Sequence, residues 1–226
     1  ANTTGVRSVA VGAQALESQT TNGYNVAVGC FAGQDVTTGQ YSLFAGYEAG
    51  TAITTGEYNV ALGSQALKTA TTASNNIAIG AAAMLPSTTA TDCVAIGLNA
   101  CRYLTTGSEN IGIGRDALKT NTTGGANVAL GLSALGSLTT GNGNIAIGYQ
   151  ALLDADANEE HNVAIGQGAA ENLNYNGSGN NIVMGLYAMK GGTIGAAITD
   201  NIAIGQYTLA SITTSDENVA IGGWAM

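Results

Sequence analysis

The apolar residues of this chain are gathered into a five-residue phrase, Asn followed by apolar, Ala, apolar and Gly, that returns about every seventeen residues. The closing glycines are Gly12, Gly29, Gly46, Gly63, Gly80, Gly97, Gly114, Gly131, Gly148, Gly166, Gly185, Gly205 and Gly222. Numbering each coil from its closing glycine as zero, position −3 is always Val, Ile or Leu, and position −1 is Val, Ile, Leu or Met except at Ala45. Position −2 is Ala in ten of thirteen coils, the exceptions being Phe44, Gly112 and Val183. Successive residues of a strand point to opposite faces, so both faces are apolar, the mark of a parallel strand covered on both sides. The pattern predicts an all-β fold, a parallel β-solenoid of about thirteen 17-residue coils, with residues 1–226 as a single repeat domain.

The rest of the coil supplies corners and a second wall. Position +3 is Ala in twelve coils, and position +4 is often Leu or Met, as at Leu16, Leu67, Met84 and Leu118. Position +7 is sometimes Val, Ile or Leu, and many coils end in Thr-Thr-Gly, a strand followed by a turn. The larger −3 and −1 side chains are expected to pack against positions +4 and +7 of their own coil. The Ala column, with Ala61, Ala78, Ala95, Ala129 and Ala146, is then left to meet a shared axis or a neighbouring chain, which predicts a homo-oligomer. Asn at −4 in ten coils is expected to stack as a hydrogen-bonded ladder. About three large apolar side chains per coil barely offset the backbone entropy of ordering it, so stacking and association are both expected to contribute.

Composition narrows the partners. Charged residues are 9% of the chain, the net charge is −9, and there are only six basic residues, so no footprint for nucleic acid or an anionic membrane is present. Apolar runs of four to six residues fall far short of the roughly 20 needed to cross a bilayer as a helix, and no membrane insertion is expected. Cys30, Cys93 and Cys101 form no CxxC pair and read as small apolar residues rather than a zinc or disulfide framework.

No catalytic, cofactor or metal residues emerge. Residues 114–120 resemble a phosphate-binding loop, but Leu118 stands where a glycine must precede the lysine. His161 is the only histidine, and no Gly-x-Ser-x-Gly elbow accompanies it. Asp154, Asp156 and Asn158 begin like a calcium loop but lack its glycine and its twelfth-position acid. Asn2, Asn121 and Asn176 match the glycan acceptor pattern. The Thr pairs beside the turn read as a ladder, with an ice-binding face as a lesser alternative.

The phrase Asn-x-Ala-Leu-Gly-x-x-Ala-Leu followed by Thr-Thr-Gly, in residues 127–141, resembles the repeats of phage and large-virus tail-fibre proteins. It is also similar to the heads of trimeric autotransporter adhesins of the YadA type. The resemblance spans essentially the whole chain and implies a left-handed parallel β-roll, three chains about an axis and display outside a cell or on a virion. The expected function is therefore a structural and adhesive trimeric fibre segment, a viral tail fibre that displays or forms a host-receptor-binding surface. The alternatives are a bacterial adhesin head on the cell surface, a self-stacking extracellular filament subunit, and an ice-binding solenoid. A polysaccharide-degrading tailspike would need paired acids in a groove, which the sequence offers only as scattered candidates. Neither end reads as a capping coil, which predicts a longer array or end-to-end contact with other virion or filament proteins.

Coils nine to eleven stretch from seventeen to eighteen, nineteen and twenty residues. Insertions in a solenoid leave as loops, where binding residues concentrate. Segments 153–161, 171–180 and 190–200 are expected to stack into one lateral patch holding Asp154, Asp156, Glu159, Glu160, His161, Tyr175 and Lys190, facing a host receptor, a glycan or a neighbouring virion protein.

Overall fold

The computed structural model describes residues 7–21, 23–155, 157–174, 177–191 and 197–226. The chain divides into two compact units, Ala1–Asn110 and Ile111–Met226. In the first, each coil contributes one three-residue strand: β1 (Val9–Val11), β2 (Val26–Val28), β3 (Leu43–Ala45), β4 (Val60–Leu62), β5 (Ile77–Ile79) and β6 (Val94–Ile96). The second contains β7 (Ile111–Ile113), β8 (Val128–Leu130), β9 (Ile145–Ile147), β10 (Val163–Ile165), β11 (Ile182–Met184), β12 (Ile202–Ile204) and β13 (Val219–Ile221). Within each unit consecutive strands pair in parallel, like position on like position, as in Ala61 beside Ala78 and Ala129 beside Ala146. Both units are thus parallel β-solenoid with about seventeen residues per coil, and the described residues contain no helix. Longer coils do not disturb the register: Ala164 still pairs with Val183, nineteen residues on.

The strand lies the other way round from the sequence expectation. Ala61, Ala78, Ala95, Ala129 and Ala146 are fully buried inside their own coils and face no neighbouring chain, while positions −3 and −1 point outward. Exposure reaches 57% at Val11, 44% at Val28 and 43% at Leu130. The physical reason is the narrowness of the interior. Position −2 faces position +4, and that gap holds an alanine opposite a leucine or methionine. Where −2 enlarges to Phe44, the facing +4 positions shrink to Gly33 and Gly50. A Cβ placed on Gly33 would come within 2.8 Å of the Phe44 ring, and one on Gly50 would strike the same ring. Val183 repeats the exchange in milder form, with Ala170 at +4 of the preceding coil.

The corners are sharp because left-handed backbone recurs at fixed points. In the coil closed by Gly63, Tyr58 at −5 (φ 57), Gln65 at +2 (φ 62) and Leu67 at +4 (φ 49) all lie in this region. Each such residue other than glycine or asparagine costs about 1–2 kcal/mol, and hydrogen bonds between layers offset it. The amide of Gly50 donates to the Ala66 carbonyl at 2.9 Å, and that of Leu67 donates to the Ala83 carbonyl at 3.0 Å. The closing glycine is a stricter requirement. Gly80 has φ 133, and a Cβ there would collide with the carbonyl oxygen of Gly97 in the next coil.

Two side-chain ladders hold the layers in register. The Asn column at −4 is buried from Asn25 to Asn201, and its members bond to the neighbouring layers. The amide of Asn144 donates to Oδ1 of Asn127 at 3.0 Å, its Nδ2 to the same oxygen at 3.1 Å, and its Nδ2 also to the Glu159 carbonyl at 2.7 Å. Asn162, Asn181, Asn201 and Asn218 continue the series. The expected Asn ladder is present. At position +8 the hydroxyls of Thr37, Thr54, Thr71 and Thr88 each donate to the carbonyl of the next coil at 3.1 to 3.2 Å.

Phe44→Ala should cost about 3–5 kcal/mol, as large aromatic deletions in a core do. Adding Gly50→Leu, the residue at this point in the coils of Leu16, Leu67, Leu118, Leu135, Leu152 and Leu209, should recover at least about 1 kcal/mol of that loss. Additive losses in denaturant unfolding would show that the two positions do not share space. Gly80→Ala should destabilise by about 3 kcal/mol or more through combined strain and collision, and an unchanged melting temperature would contradict that assignment.

Candidate functional site

The lateral patch separates into two groups and one inward residue. Asp154 is half-buried, and its amide donates to the Glu171 carbonyl at 2.9 Å. Lys190 Nζ lies 3.1 Å from Glu171 Oε2 and 4.5 Å from the centre of the Tyr187 ring. Burial, reinforced by the Glu171 charge, pushes the Asp154 carboxyl up from its ordinary value. The second group is Glu160, whose Oε1 accepts from Asn142 Nδ2 at 3.1 Å, with exposed His161, whose amide donates to the Asn142 carbonyl at 3.0 Å. In both groups these contacts run from coil to coil.

Glu159 is fully buried and does not belong to a surface patch. It stands seven residues before Gly166, the column that holds Gly39, Gly56, Ala73, Ala90 and Gly107 elsewhere, and that column points inward. Asp156 and Tyr175 lie outside the described residues, as do parts of the three long segments. Among the described residues no group of three or more His, Cys, Asp or Glu side chains is placed to hold a metal ion.

Other sequence candidates resolve locally. Lys119, in the loop resembling a phosphate-binding one, pairs with Asp116 at 3.4 Å. Asn121 is buried, so its acceptor pattern is closed to a glycan in the folded chain, while Asn2 and Asn176 lie outside the described residues. Cys93 and Cys101 are buried free thiols, pushed up in pKa chiefly by burial, and Cys30 is half-buried.

Two features escaped the sequence reading. The first is the outward face of the strands, on which every −3 and −1 position is apolar in all thirteen coils. The second is a set of aromatic stacks. Tyr24, Tyr41 and Tyr58, all at −5, stack with centroids 5.1 Å apart and planes 9° from parallel. In the other unit, at +2, Tyr207 stacks on Trp224 at 4.4 Å and meets Tyr187 at 5.5 Å with the planes tilted by 34°. Aligning the chain by column would have found both sets, because each recurs at the coil period.

Comparison with protein-family models, with curated proteins and with solved structures returns no match.

Asp154→Asn should raise stability at neutral pH, with the advantage fading as the medium is acidified. A carboxyl whose folded pKa is raised binds its proton more readily in the folded state, so its destabilising contribution is present above that pKa and disappears below the unfolded value. Thermal melts of both proteins from neutral pH down to about pH 3 check this, and a gap that widens on acidification would reverse the assigned sign.

Proposed function

We propose that this chain is a structural and adhesive segment of a surface-displayed fibre, of the viral tail-fibre kind, in which three copies associate through the outward Val and Ile face. The observation that carries the reading is that face itself. In the second unit it forms a strip seven coils long and two side chains wide, roughly 30 by 10 Å by strand spacing, without one polar side chain. A typical monomer's largest apolar patch is of this size, and such patches are commonly sites of association. Another copy of the same face is a natural cover, since its ridges repeat at the same spacing. A scaffold of identical hydrogen-bonded layers, with few charges and an in-register core, suits load-bearing display.

The number three, the left-handed roll and the virion setting rest on the resemblance of residues 127–141 to tail-fibre repeats. A bacterial adhesin head shares that resemblance and is the second reading. Within the fibre, the Glu160 and His161 group and the Asp154, Glu171 and Lys190 group remain the candidate lateral contacts to a receptor or a neighbouring fibre protein.

Light scattering should give three times the 22.4 kDa chain mass. Ile145→Lys places a charge on the outward face of β9, 36% exposed in the single chain, and should shift the protein to monomer while leaving the β-type circular dichroism intact. A wild-type monomer at micromolar concentration, or a trimer untouched by Ile145→Lys, would remove the proposed interface.

A further inference from the structure

One flank of the first unit carries polar side chains arranged in ranks. Position −8 is Thr38, Thr55, Thr72, Thr89 and Thr106 in five successive coils, all exposed. The Thr column one residue earlier spends its hydroxyls on carbonyls of the next coil. The hydroxyls of these five threonines make no such bond and stand in solvent at the layer spacing of about 4.8 Å, whereas Thr140, at the same position in the second unit, donates to the Ala157 carbonyl. Position −7 turns inward with glycine or alanine, and three residues on, within about 10 Å along the chain, comes the −5 column, with Tyr24 after Thr21, Tyr41 after Thr38 and Tyr58 after Thr55, the later threonines continuing the rank beyond the rings.

These tyrosines are 38%, 48% and 54% exposed. Because the rings cover one another's faces, they present edges and phenolic oxygens to solvent. Arg7 closes the stack, its guanidinium donating to the Tyr24 hydroxyl at 2.8 Å. Backbone bonds pin the column, the Tyr41 amide to the Gly23 carbonyl at 2.8 Å and the Tyr58 amide to the Gln40 carbonyl at 3.0 Å. The flank is therefore a pre-ordered lattice of hydroxyls, methyls and ring edges, and a ligand binding it pays little for ordering the protein side.

We propose that the Tyr24, Tyr41 and Tyr58 stack and the exposed Thr column form one elongated site for a neutral polysaccharide chain lying along the direction of coil stacking. A linear glycan offers hydroxyls and apolar C–H faces at a regular repeat, matching ranks that offer the same chemistry. Each contact is weak, and their repetition supplies the affinity. Polyanions are disfavoured, because Glu57, Asp92 and Glu109 lie on the same flank and the chain carries a net charge of −9. A peptide added as a strand finds no free ladder there, since the backbone groups are engaged from coil to coil. The tyrosines and acids interrupt the flat hydroxyl array that ordered water would require. The site stands on the first unit alone and is independent of how copies associate.

The full chain is tested by depletion onto insoluble cellulose, chitin and mannan, at 0.15 M and 1 M salt. Retention on at least one, insensitive to salt, is expected. The pair Tyr41→Asn and Tyr58→Asn should weaken it at least about tenfold. Folding should survive, because Asn75 already occupies this column with the same left-handed backbone (φ 59). The pair Thr72→Val and Thr89→Val, which removes hydroxyls and keeps shape, should weaken it about threefold or more. Ile145→Lys should leave the remaining retention sensitive to both double variants even where it dissolves the assembly and removes avidity. No retention on any of the three supports would overturn the proposal, as would retention lost at 1 M salt, retention indifferent to both double variants, or thermal hysteresis without polysaccharide binding.

Discussion

The interior of each coil is one alanine deep on one wall and one leucine deep on the other, and this thinness governs the rest. Carbonyl and Cα of successive closing glycines lie so close that no Cβ fits between Gly80 and Gly97. With room for so little, bulky side chains at −3 and −1 cannot enter and are turned outward. The same thinness leaves the hydrophobic contribution of a coil small, so the layers depend on hydrogen bonds along the stack. The buried Asn column answers that need, and its amides replace interior volume with cross-layer connection.

This accounts for which parts of the sequence were legible. Coil length, parallel register and the Asn ladder could be read because they depend only on periodicity and chemistry, and periodicity survives the stretched coils, where Val163 still finds Ile182. The direction of the strand could not be read from alternation, since Val-Ala-Ile is apolar on both faces. The deciding signal was size. Phe44 together with Gly33 and Gly50 states that −2 and +4 share one space, but only once the coil is folded far enough to set them opposite.

The candidate patch shows the same lesson at one residue. Counted forward from Gly148, Glu159 belongs to an inserted loop. Counted back from Gly166, it occupies the inward column of Gly107, Gly124 and Gly141, and its carbonyl accepts from Asn144 Nδ2 as the Gly141 carbonyl accepts from Asn127 Nδ2. Insertions are absorbed before that column, so the residues approaching the next strand keep their places and only those nearer the preceding corner are free to drift. Asp154, beside that corner, stacks on Glu171 with Lys190 beyond, whereas Glu160 is tied into the approach to β10.

A solenoid of this kind separates its constraints by direction. Inward columns tolerate one size or one compensated pair of sizes, and the closing glycine tolerates nothing else. Outward columns face no such demand: position −5 runs from Arg7 through Tyr24, Tyr41 and Tyr58 to Asn75, Asp92 and Glu109 within one unit, all on the same left-handed backbone. Energy therefore concentrates in the inward columns that repeat, and recognition is left to the outward columns. An outward column that holds one residue type over several coils, with no hydrogen bond along the stack to require it, has no structural reason for its uniformity. The Thr column at −8 is of that kind from Thr38 to Thr106, and the Thr column beside it, bonded from Thr37 to Thr88, is the contrast that makes the difference visible.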